Sequence, residues 1–153
     1  MTLFLISLLD YANYTGDLQV IKNNREVVSA IHKWLEKNDE NHYLKDFNNK
    51  NLTWMDTLKR SKAIEIQALY AQACKSMSEL LSILHSEKGE YYKNKYEKVK
   101  QTINDYWLEN RGYYKDCEEN TSLTPNQLVA LIYDLIPLER VKKVLSVMLS
   151  PEM

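Results

Sequence analysis

Glycine and proline are scarce, three of each in 153 residues. A turn-rich all-β fold needs both at its many reversals, so their scarcity argues for long helices. Cysteine occurs only twice. Cys74 sits in an apolar run and Cys117 in a charged one, so the pair is not read as a disulfide framework. Both suit a reducing cytosol, and a cytoplasmic location is expected. Neither sign of charge is in excess: 20 basic and 21 acidic side chains leave a net charge of −1. Neither a nucleic acid nor an acidic membrane is expected as partner. The opening "MTLFLISLLD" is too short to span a bilayer and lacks a basic n-region and a small-residue cleavage site, so it reads as a buried helix. His32, His42 and His85 lack metal-ligand spacing, and there is no glycine-rich phosphate loop. Neither a metal nor a cofactor is expected.

What is present is helical in pattern. Hydrophobic residues make up 44%, enough for a core without staples at this length. A first helix is expected from Thr2 to "NYTGD", with Leu3, Ile6, Leu8 and Leu9 on its apolar side. After Gly16, Asp17 suits the N-cap of a second helix reaching about Lys37. Lys37 to Asn51 forms a polar linker, an uncommon length inside a compact domain and often functional. The third helix, about Ser61 to His85, has only Glu65, Gln67 and Gln72 as polar side chains from Ala63 to Cys74, plus the tip of Tyr70. It is expected to be buried on several sides. The Lys- and Glu-rich stretch after it, with a narrow stripe of Tyr92, Tyr96, Val99, Ile103 and Trp107, reads as a peripheral helix with a solvated face. "RGYYKDCEENTS" reads as an irregular connector. A fifth helix starts with Thr124 as N-cap and Pro125 at its first position, and a sixth follows Pro137. No strand is convincing. The fold class is all-α, built from helical hairpins in an inner and an outer layer.

Two features carry chemistry. Asp56 follows Trp54 at the end of the polar linker. Indoles stack on sugar rings, and a carboxyl beside an apolar ring keeps its proton to higher pH, as a general acid at a glycosidic oxygen requires. The plainer reading is that Asp56 caps the next turn. Glu65 opens an apolar helix, where it would either grip hydroxyls or a cation at a pocket rim, or point to water and match the helix dipole. Gln67 is open to reading as a ligand-facing amide.

The segment from Thr53 to Tyr70 resembles the C-terminal catalytic domain of glycogen debranching enzymes, the amylo-α-1,6-glucosidase type. Its family motif appears as Thr53-Trp54-Met55-Asp56, Arg60, and Ile64-Glu65-Ile66-Gln67-Ala68-Leu69-Tyr70. "TLFLISLLDYANYTGD" and "SLTPNQLVAL" are similar to two further family stretches, so the resemblance covers nearly the whole chain in order. It implies residues 1–153 as one domain, a segment of an (α/α)6 barrel that hydrolyses the α-1,6-linked glucose at an α-glucan branch point. Carried over by position, Asp56 is the general acid. Trp54, Arg60, Glu65 and Gln67 are substrate-binding residues.

The chain departs from the pattern at several points. Only Thr57, Leu58 and Lys59 separate Asp56 from Arg60; Phe4 replaces a Trp, and Thr124 an Arg. An inverting glycosidase needs a second carboxyl roughly 6.5–9.5 Å from the first, and the family's general base falls beyond "LSVMLSPEM". The segment is therefore expected to be incomplete alone and to self-associate or join a complementary chain. The alternative is a non-catalytic helical remnant that binds carbohydrate or a partner.

Overall fold

In the computed structural model, residues 1–45 and 60–150 are described. Helix α1 (Thr2–Thr15) buries Leu5, Ile6, Leu8, Leu9 and Ala12 and ends at Gly16, whose φ of 74° lies in the left-handed region open to glycine. The single helix expected from Asp17 to Lys37 is in fact two, α2 (Gln19–Asn23) and α3 (Arg25–Asn38). Asn24 makes the break. Its side-chain amide donates to the Val20 carbonyl at 2.8 Å, the local bond by which Asn competes with a continuing helix. Asp17 still opens the segment, its carboxylate accepting the Gln19 N–H at 2.9 Å.

The expectation of no strand is corrected at two places. β1 (Asp39–Glu40) and β2 (Tyr43–Leu44) pair antiparallel with Glu40 opposite Tyr43. Their two-residue loop, Asn41 and His42, has φ of 52° and 68°. Positive φ at both positions is the turn whose twist matches paired strands, and Asn enters that region more readily than most residues. β3 (Trp107–Leu108) and β4 (Tyr113–Tyr114) form the second ladder, inside the stretch read as peripheral helix and connector. Gly112, at φ 73°, closes its loop.

Helix α4 (Ile64–Ile83) is buried nearly all round, as its composition requires. It packs on α1, on α5 (Lys88–Asn104) and on α6 (Leu128–Ile132). Ala68, Ala71, Ala73 and Cys74 are all buried along it, and such small side chains let neighbours approach. At the start of α5 the approach is close: a Cβ on Gly89 would stand 2.6 Å from Ser82 Oγ, and the Gly89 carbonyl accepts from Ser78 Oγ at 2.8 Å.

The fifth helix is shorter than expected. A 3-10 turn, Pro125–Gln127, leads into α6. Asp134 at φ 54° then takes the chain out of the helix, and Leu135 and Ile136 pack into the core. Helix α7 (Leu138–Met148) follows Pro137.

The helices pack as hairpins whose members fall into two rows. α1, α4 and α6 make the inner row, held by apolar packing. α3, α5 and α7 make the outer row, tied by polar contacts: Tyr92 to His32 at 2.8 Å and Arg140 to Asn104 at 3.0 Å. The α5 face read as solvated is not uniformly so. Lys95 is buried at 7% exposure, its ammonium donating to Tyr91 Oη and paired with Asp39 and Glu36.

Candidate functional site

The starts of α4 and of the Pro125 turn come together through one cation. Arg60 precedes α4 by one turn of chain, and its guanidinium reaches two carboxylates at once. Nη1 and Nη2 donate to Glu65 Oε1 and Oε2 at 2.6 and 3.0 Å. Nε donates to Asp116 Oδ2 at 2.6 Å, and Nη2 also meets Asp116 Oδ1. Glu65 is 3% and Asp116 2% exposed. The planar fork of arginine suits such double bidentate pairing, where lysine would offer a point charge.

Asp116 accepts more than arginine. Thr124 Oγ1 donates to it at 2.7 Å and Asn126 Nδ2 at 2.9 Å. Burial alone would push its carboxyl up; the bonds from Asn126, Thr124 and Arg60 outweigh that and hold it below the usual value of 3.8. Burial likewise opposes the charge on Arg60, and its bonds to Glu65 and Asp116 reverse that and raise its pKa. Among the described residues two buried anions share the Arg60 guanidinium, and neutral donors and the N-terminal turn of α4, where Glu65 sits, also favour their negative charge. The backbone joins the same two segments: Ile64 N–H donates to the Asp116 carbonyl at 2.9 Å and Glu118 N–H to the Ser61 carbonyl at 3.1 Å.

Of the residues singled out by sequence, the structure brings Arg60 and Glu65 into direct contact. Glu65 is neither at an open rim nor pointing to water: the cation it grips is Arg60. Gln67, two residues on in α4, faces the other side of the helix. Its amide oxygen accepts the Leu44 N–H at 2.9 Å and its nitrogen donates to the Leu44 carbonyl at 3.2 Å. Trp54 and Asp56 lie outside the described residues. Thr124 does not donate a side-chain bond to the helix it was expected to cap; its hydroxyl goes to Asp116.

Asp116 itself was missed. It falls in "RGYYKDCEENTS", read as a connector, where it is one of three acids with Glu118 and Glu119 and nothing in the local sequence singles it out. Its partner Arg60 is 56 residues away in sequence, too far for local spacing to reveal. Among the described residues no group of three His, Cys, Asp or Glu could hold a metal ion, and no described helix is long and apolar enough to cross a membrane. Both cysteines are free and buried, and burial pushes the Cys74 thiol up to about 12.

This arrangement is a buried polar hub at the N-terminal end of α4, joining Arg60 to Glu65 and Asp116. A family model described as Amylo-alpha-1,6-glucosidase matches residues 1–150. No curated protein matches the chain. Among solved structures, a GH78 family rhamnosidase of Bacillus sp. GL1 is similar in fold, with a TM-score of 0.79 at 19% identity. The match covers 98% of this chain and 17% of the rhamnosidase chain, so the present sequence spans about a sixth of that protein. The fold is thus an all-α, (α/α) toroid-type arrangement.

Proposed function

The chain belongs to the amylo-alpha-1,6-glucosidase family, and on that premise we propose that it carries the proton-donor side of an α-1,6-glucosidase site acting on α-glucan branch points. Asp56 is the general acid, protonating the leaving glycosidic oxygen, and Trp54 stacks on the sugar ring beside it. One observation supports this above others. Arg60, four residues after Asp56 in sequence, is locked into a buried hub at the start of α4 and Asp116. A general acid works only when held within hydrogen-bond reach of its target, and this hub anchors the chain that bears it. Arg60 and Glu65 act as positioning residues, and Gln67 holds the neighbouring hairpin.

The test is hydrolysis of an α-1,6-branched glucan in the longer chain or assembly that turns it over. Asp56→Asn should lower glucose release by about 10²–10⁴-fold, with helix content by circular dichroism unchanged. Undiminished release would remove Asp56 from the acid role.

A second reading, glucan binding without turnover by this chain, is favoured by the state of the described carboxylates at this end. Glu65 and Asp116 are both bonded to Arg60, and an acid committed to a guanidinium is poorly placed to activate a water. Titration with branched glucose oligomers separates the readings: saturable binding with no glucose released supports the second.

A further inference from the structure

A cavity of about 180 Å³ opens beside His32, between α3 and the turn from α4 to α5, and two cations line it, Arg25 and Lys88. Leu81 on its wall lies sixteen residues along α4 from Glu65, about 24 Å at 1.5 Å per residue, so the cavity is remote from the hub. Among the described residues Arg25 makes no side-chain hydrogen bond or ion pair, and Lys88 meets only the imidazole of His32, at 2.8 Å. An ammonium can only donate, so His32 Nε2 is the acceptor and Nδ1 carries the proton. Nδ1–H then donates to Tyr92 Oη at 2.8 Å, and the Tyr92 hydroxyl turns to the His32 carbonyl at 3.4 Å. The ring is thereby held neutral and cannot serve as counter-ion. Burial and then the Lys88 charge push the His32 pKa down, in keeping with that state. Glu36, one turn further along α3, is engaged by Tyr91 at 2.7 Å and by Lys95 at 3.6 Å.

We propose that this cavity binds a phosphate group, either free or as the phosphomonoester of a small molecule. Two cations without a carboxylate partner match the two charges of a phosphate near neutral pH. The guanidinium of Arg25 offers a bidentate fork and Lys88 a point charge, the two usual ways of holding phosphate oxygens. Ser29 and Ser86 line the same cavity and add neutral donors. Val28 and Leu81 supply an apolar wall, against which the carbon body of an ester can rest. A neutral glucan would leave both cations unanswered, so the site is distinct in chemistry from the proposed sugar-cleaving end and stands independently of it.

The experiment is a titration of the isotope-labelled full chain, followed by NMR, with inorganic phosphate and separately with a hexose 6-phosphate. Ionic strength is held constant with chloride. Both probes should give saturable shifts at the His32 ring and at the amides of Ser86 and Lys88. Tighter binding of the ester identifies phosphomonoesters as the natural class, and equal affinities identify free phosphate; either supports the site. Arg25→Ala and Lys88→Ala should each weaken binding about tenfold, the scale of one hydrogen bond to a charged group. Both side chains are exposed, so circular dichroism should show the variants folded. Non-saturable shifts, or unchanged affinity in the double variant, would overturn the proposal.

Discussion

Arg60 shows how much one side chain can hold. Its guanidinium is the described cation shared by Glu65 and Asp116, both buried, and removing it leaves two carboxylates without their charge partner. Breaking a buried pair in this way costs about 3–5 kcal/mol. Arg60→Ala should therefore lose about that much stability in urea unfolding. Arg60→Lys should recover less than half of the loss, because an ammonium cannot reproduce two bidentate contacts. A loss under about 1 kcal/mol for the alanine variant would mean that surrounding groups relax to replace the cation.

The acid side of the same network gives a pH dependence whose sign follows from Asp116. Its folded pKa lies below the usual 3.8, so the native state favours the anion. That contribution is fully present above the unfolded value and is lost as pH falls through the folded one. Stability should decline as pH drops below about 4. Asp116→Asn should lower stability at pH 7 and flatten that acid decline, as read from unfolding midpoints across pH.

At the scale of elements, one device recurs. Each two-stranded ladder is followed by a glutamine on the next inner helical segment, and that side chain takes the place of a further strand. Gln67 bonds both backbone groups of Leu44, and Gln127 accepts the Tyr114 N–H at 3.0 Å while donating to the Thr124 carbonyl. Strands of two residues cannot stand alone, so the glutamines supply what pairing lacks. Gln67→Leu keeps the volume but leaves a buried N–H and C=O unanswered, at about 1–3 kcal/mol. Hydrogen exchange at the Leu44 amide should accelerate in that variant, with the amides at the middle of α4 changing only by the global loss. Equal acceleration throughout would show that hairpin and helix open as one unit.

The hairpins also show where sequence reading stops. Asn41 and His42 fell inside the stretch read as a polar linker, and the strands beside them are too short for an alternating pattern to register. The break at Asn24 was equally local, but apolar spacing runs straight through it from Val20 to Val27 and Val28. Periodicity reports which residues face the core; it does not report whether the backbone between them is continuous.

For the molecule as a whole, α4 is the shared element. It contacts α1, α5 and α6, and its buried surface includes Tyr70, Met77 and Leu80. α1, α5 and α6 each lose their main packing partner once α4 leaves. Thermal unfolding followed by helix ellipticity and by tyrosine fluorescence should give coincident single transitions. Two separated midpoints would mean that one hairpin survives without the central helix.

The amino-acid sequence by itself determined the all-α class, the buried course of α4, the peripheral course of α5 and the family, since each rests on local composition, spacing or motif order. Tertiary structure alone decided the partners of the buried charges. Glu65 became half of an arginine clamp, Gln67 a brace for a hairpin, and Asp116 the far end of a bond spanning 56 residues. A buried charge or amide must be answered by some group, but which group answers depends on how distant segments come together, and linear spacing does not carry that information.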